Sequence, residues 1–168
     1  MALKMLWEAL ETSTLGTTIA GSEWMFPTLE TLHVISLVTV IGAIVIMDLR
    51  LLGLSSARRA VTAVSLDTIP VTWIAFLCAV MTGSLLFVSK ATVYTANPYF
   101  LIKMGLLALA GINMALFHRM TWKTIGTWDN AIPAIPLSAK IGGGLSLLFW
   151  TLIVFCGRII GFTLGVYA

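Results

Sequence analysis

The chain predicts an all-α fold, an integral membrane four-helix bundle with a short N-terminal interfacial helix. Two observations carry that expectation. Its 168 residues are 59% hydrophobic and only 10% charged, where an ordinary soluble domain is about 25% charged. So much apolar surface cannot be hidden in one small soluble core, and lipid must be its solvent. The apolar residues are also gathered into four long runs, and helices are the structures that satisfy their own backbone in hydrocarbon.

Residues 1–26 read as an interfacial segment and residues 27–168 as the four-span domain. Lys4 precedes a stretch too polar for a signal-peptide core (Glu8, Glu11, Thr12, Ser13, Thr14). The expectation there is a helix around Leu3 to Leu10, then a Thr/Gly-rich stretch at the membrane surface. The spans are expected at about Pro27–Gly53, Thr68–Ser89, Pro98–His118 and Ala139–Leu164. Pro27 and Pro70 are placed in first helical turns, where a missing N–H costs nothing. Each run reaches about 20 residues or more, enough for a hydrocarbon core of roughly 30 Å. Gly42, Gly83, Gly105, Ala108, Gly111 and Gly157 read as places of close helix packing or of close approach by a flat cofactor.

Lys and Arg set the orientation. Arg50, Arg58 and Arg59 follow the first span, and Arg119, Lys123 and Lys140 follow the third, while Lys90 stands alone between the second and third. The positive-inside rule then puts these basic loops in the cytoplasm and both termini outside, in a bacterial inner membrane. The net charge of +3 gives no reason to invoke nucleic acid. Cys78 and Cys156 both lie in apolar runs, which argues against a structural disulfide. Trp24, Trp73, Trp122 and Trp128 are expected at the membrane interfaces.

Ionisable groups within a span need partners or a function. The two histidines, His33 and His118, fall at opposite ends of parallel spans, offset by roughly 14 residues or on the order of 20 Å. One iron cannot bridge them. His118 beside Arg119 reads as an interfacial residue at a helix C-terminus. His33 shares its depth with Lys103 on the third span and Arg158 on the fourth. Imidazole is a common haem ligand, and Lys and Arg suit porphyrin propionates. The same layer can be read as two snorkelling cations and one hydrogen-bonded histidine. Glu30, one turn before His33, is placed to pair with Lys103 or Arg158, and a generic Met25, Glu30, His33 metal site is a further reading. Asp48 and Arg50 read as anchors to the neighbouring loops, and Asn113 as an interhelical hydrogen-bond residue.

The segment Leu32-His33-Val34-Ile35-Ser36, running to Gly42 and Asp48-Leu49-Arg50-Leu51, resembles the opening helix of a superfamily of small bacterial membrane proteins. That superfamily includes the four-helix haem-b protoporphyrinogen oxidases and the copper-resistance D proteins. Tyr99-Phe100-Leu101-Ile102-Lys103 looks like the start of the oxidases' third helix, and Pro70, Trp73 and Gly83 resemble their second. The resemblance covers Pro27 to His118, more loosely the last helix. It implies haem b with His33 as ligand, and Lys103 working at the cofactor or porphyrin site. Basic and aromatic residues that the oxidases carry after the first-span glycine have no match here, and Asp48-Leu49-Arg50 and Arg158 look particular to a branch. Fold and haem binding therefore transfer better than oxidase activity. The copper reading transfers least, because no Met- or His-rich cluster supports it.

The leading expectation is thus a b-type haem protein of electron transfer or redox chemistry near the outer face, working with a quinone, a porphyrin or a respiratory partner, either alone or as a homo-oligomer. Its site residues are His33 as metal ligand, with Lys103, Arg158 and Glu30 around the cofactor. The alternatives are protoporphyrinogen oxidation, and a cofactor-free metal transporter or assembly subunit.

Overall fold

A computed structural model of the chain describes residues 2–56, 58–129 and 135–166. Its regular elements are all helical: α1 (Ala2–Glu11), α2 (Thr14–Gly21), α3 (Met25–Leu51), α4 (Val61–Ser89), α5 (Ala91–Ala96), α6 (Pro98–Leu116) and α7 (Leu137–Thr163). A π-helical turn at Phe117–Thr121 and a 3₁₀ turn at Trp122–Thr127 prolong α6. Four of these helices are long and apolar enough to cross a membrane, and the chain is a multi-pass membrane protein. The 27 residues of α3 reach about 40 Å, more than the roughly 30 Å of hydrocarbon. Large side chains cover the outside of the bundle, among them Leu66, Ile74, Leu77 and Phe155. In water such a surface would aggregate, and in lipid it is solvated.

α3 packs chiefly on α4 and α6 on α7, and the two pairs join where α3 meets α7. Their shared core is Val40, Ala75, Ala110, Trp150 and Ile153, one or two from each span. A second cluster, Leu51, Val61, Trp128, Ile135 and Ala139, closes the end that carries Arg50.

The second span begins seven residues earlier than expected. Thr68 and Pro70 read as its start in sequence, yet Pro70 lies inside α4. Thr68 and Thr72 hydroxyls donate to the Val64 and Thr68 carbonyls on either side of it, and neighbouring Thr groups commonly accompany an intrahelical proline in membranes. The early start also moves Trp73 to mid-span, away from the interface expected for it. Trp128 departs differently. It is 4% exposed, with its indole N–H on the Thr124 hydroxyl at 3.1 Å, so it serves the core and not an aromatic belt. Trp24, 80% exposed, remains as an interfacial residue should.

The N-terminal segment is two helices and not one. Between them the chain turns so sharply that a Cβ at Gly16 would lie 2.6 Å from the Glu11 carbonyl oxygen. Buried Ile19 of α2 holds this segment down, and α2 packs against α4.

The helix ends reveal a device used twice. The N-cap residue of α4, Ala60, makes no side-chain cap. Asp129, from beyond α6, supplies one instead: its carboxylate accepts from the Thr62 amide at 2.8 Å and the Thr62 hydroxyl at 2.6 Å. At the opposite end, Glu11 of α1 accepts from the amide and hydroxyl of Thr92 at the start of α5. A carboxylate facing unpaired N–H groups at a helix N-terminus is favourable by charge and by hydrogen bonding.

The close-packing expectation needs correction at three glycines. Gly42, Gly105 and Gly111 have nothing within 4 Å of where a Cβ would stand, because they face outward to lipid. The tight approach occurs at Gly143, where a Cβ would meet the Asp48 carbonyl oxygen and Leu51 Cβ at 3.2 Å, and at Gly142 against Phe117. Asn113 bridges the same helix pair, donating to the Gly142 carbonyl at 2.9 Å.

Burial would raise the Asp129 carboxyl, but the Thr62 hydroxyl and amide, the Val61 amide and the Arg50 guanidinium together hold it below its ordinary value of 3.8. A carboxyl depressed on folding stabilises above its unfolded value and loses that contribution as pH falls through the folded one. Asp129→Asn keeps one acceptor oxygen and is therefore expected to lower stability in detergent by about 0.5–1.5 kcal/mol near neutral pH. In thermal unfolding the gap to wild type should close as pH falls below about 4.

Candidate functional site

His33 lies on α3, two turns after its start, and is half-buried. Its ring reaches across to α4. Nδ1 stands 3.0 Å from the Ala79 carbonyl oxygen and 3.1 Å from Thr82 Oγ1. A carbonyl only accepts, so Nδ1 must carry the proton. The Thr82 hydroxyl donates to the Cys78 carbonyl at 2.8 Å, which leaves its oxygen lone pairs to share that same N–H. When the ring is neutral its free lone pair is therefore on Nε2, for which the described residues provide no hydrogen-bond partner. Histidines that bind metals are held in this way, one nitrogen donating to a carbonyl and the other turned to the ion.

Gly83 makes the arrangement sterically possible. A Cβ there would stand 2.9 Å from His33 Cε1 and 3.3 Å from Nδ1. The space that a flat cofactor was expected to share is occupied by the imidazole itself. Gly157 plays the matching part on α7: its open side faces Lys103 Nζ, 3.7 Å from a built Cβ. Lys103 lies within Coulombic range of both the His33 ring and the Cys156 thiol, and it makes no ion pair with a described residue.

The other two candidates stand further out. Arg158 is exposed and lies over the Phe162 ring of its own helix, 4.4 Å from the centroid. Glu30 is exposed and forms no ion pair with a described residue, so the pairing expected with Lys103 or Arg158 is not made. Burial, and after it the Glu30 carboxylate, pushes the Tyr94 hydroxyl up to about 12. The structure therefore brings His33 and Lys103 together with Cys156, and leaves Arg158 and Glu30 at the surface. Among the described residues no three His, Cys, Asp or Glu side chains gather as a metal cluster.

Aromatic rings lie over this end of the bundle. Phe87 and Phe100 stack at 5.6 Å with planes 12° apart, Tyr94 lies 5.4 Å from Phe100, and Trp7 of α1 meets Phe87 edge-on at 5.5 Å. Lys90 Nζ sits 4.8 Å from the centre of the Phe26 ring.

His118 belongs to the opposite end. It is exposed in the π-helical turn, its Nδ1 donates to the Met114 carbonyl at 2.9 Å, and its ring lies 5.7 Å from Trp122. Fifteen positions along the same helix separate it from Lys103, on the order of 20 Å.

The Arg50 end holds a second set of buried polar groups. Arg50 is 1% exposed and its Nε donates to the Arg59 carbonyl at 2.8 Å. Asp48 is 5% exposed. Among the described residues, Asp48 Oδ2 and Arg50 Nη1 have no hydrogen-bond partner. Arg59 in turn pairs with Asp67 at 2.6 Å. Of the anchoring expected of Asp48 and Arg50, the bond from Arg50 to the Arg59 carbonyl is made.

The partners of His33 were not identified from sequence. Thr82-Gly83, a hydroxyl beside a residue without a side chain in an otherwise apolar run, was the available signal. No family model, curated protein or solved structure matches this chain.

Replacing Gly83 by Ala is expected to displace the His33 ring and cost about 1–3 kcal/mol. Gly42→Ala, in open space, should be neutral or stabilise by about 0.5–1 kcal/mol through helix propensity. Thermal unfolding of the two variants in one detergent checks the contrast.

Proposed function

We propose that the protein is a membrane-embedded haem b protein of electron transfer, with His33 Nε2 as an axial ligand. One observation carries the reading: the Ala79 carbonyl and Thr82 hydroxyl hold the proton on Nδ1, which presents Nε2 as a ligand. The donor set fits haem. Imidazole is the commonest nitrogen ligand of its iron, and the Lys103 ammonium is a cation suited to a carboxylate such as a propionate. Haem iron, when bound, supplies one-electron redox chemistry. The chain's own part is to orient one imidazole and to provide a cation beside it.

Two further arguments support the reading. The segments around His33 and Lys103 resemble those of the haem-b protoporphyrinogen oxidases, and the chain is proposed to be a branch of the same superfamily. The concentration of Arg50, Arg58, Arg59, Arg119, Lys123 and Lys140 toward one end favours that end as cytoplasmic. His33 then works near the outer face.

Protein purified with haem supplied during expression should show a Soret band and a sharp reduced α-band, with about one haem per chain by pyridine haemochrome. His33→Ala should lose most of that haem while eluting as a monodisperse folded species. A colourless wild-type preparation, or a His33→Ala variant with full haem content, contradicts the proposal.

A further inference from the structure

A cavity of about 410 Å³ opens between α3 and α4 in the half of the bundle nearer Arg50. Its floor is Gly42, whose missing side chain leaves the space open. Ala43, Ile46 and Val71 give it apolar walls, and Arg59 and Asp67 stand at its rim. Thr39 and Thr68 line it too, but their hydroxyls already donate to the Ile35 and Val64 carbonyls of their own helices. The interior therefore offers no free donor to a polar ligand. It offers an apolar slot on a bilayer-facing surface, with charge only at the mouth.

That charge is positive on balance. Arg59 is held in place from behind, since the buried Arg50 guanidinium bonds to its carbonyl. Asp67 engages only Nη2 of the Arg59 fork, and exposed Arg58 is adjacent. Arg119, Lys123 and Lys140 belong to the same end of the bundle, against Asp67 and Asp129. Basic crevices between membrane helices at headgroup level recognise acidic lipids.

We infer that this groove is a binding site for an acidic phospholipid, one acyl chain lying over Gly42 and the phosphate meeting Arg59 at the mouth. The site is independent of the His33 layer. A cation near the membrane surface contributes about 1 kcal/mol toward an anionic lipid, or roughly fivefold in binding.

Native mass spectrometry of the full chain, titrated separately with phosphatidylglycerol and phosphatidylcholine, tests the site. Wild type should retain phosphatidylglycerol about fivefold more strongly. Arg59→Gln should abolish most of that preference while still binding lipid, because the groove remains. Gly42→Leu should fill the slot and lower retention of both lipids. Gly42 faces open space, so that variant is expected to fold, and the headgroup preference of wild type is a test without any substitution. Equal retention of the two lipids by wild type overturns the inference. So does a Gly42→Leu variant that binds as wild type does, or an Arg59→Gln variant with its preference intact.

Discussion

Inside a bilayer no water meets an unpaired N–H or C=O, and this constraint shapes every polar contact in the bundle. Helices satisfy their own interiors, which leaves their ends and their few polar side chains to be paired from elsewhere. Asp129 and Glu11 do this at the N-termini of α4 and α5, each receiving both an amide and a threonine hydroxyl. Asn113 does it between α6 and α7, and Arg50 does it for the carbonyl of Arg59. Interhelical hydrogen bonds of this kind average only about 0.6 kcal/mol each in membranes. Their effect is therefore more on register than on stability, because each one fixes which residue of one segment faces which residue of another.

His33 belongs to the same system of cross-helix pairs, but with a difference. Its ring spends one nitrogen on α4 and keeps the other without a partner among the described residues. The close approach that allows this depends on Gly83, just as the position of Lys103 depends on Gly157. Two glycines on two helices thus set two nitrogen-bearing side chains in one layer. Cys156 joins them from the buried face of α7. At the other end, buried Asp48 and Arg50 each keep one polar atom without a partner among the described residues, and the polar layers at the two ends are separated by the apolar core of Val40, Ala75, Ala110, Trp150 and Ile153.

Much of this was legible in the sequence, because hydrophobicity alone dictates where lipid-solvated helices run. The four spans, Pro27 in a first turn and the bond from Asn113 follow from composition and periodicity. The start of α4 did not, since Pro70 signals a boundary in water and is tolerated within a long membrane helix. Which glycines face a neighbour depends on how helices rotate against one another, and a run that is apolar all round carries no moment to fix that rotation. Gly42 and Gly83 look alike in sequence, yet one faces lipid and the other faces an imidazole. Depth was readable by counting residues, which put His33 and Lys103 in one layer. Direction was not: Arg158 lies along its own helix against Phe162.

The central claim is that α4 holds His33 with its proton on Nδ1 and its lone pair on Nε2. Solid-state NMR of the haem-free protein in lipid, with nitrogen-15 histidine and His118→Gln to leave one ring, reads that tautomer directly. Nδ1 is expected to be protonated and hydrogen-bonded beside an unprotonated Nε2 at alkaline pH, with the pattern altered in Gly83→Ala. A ring protonated on Nε2 alone would contradict it.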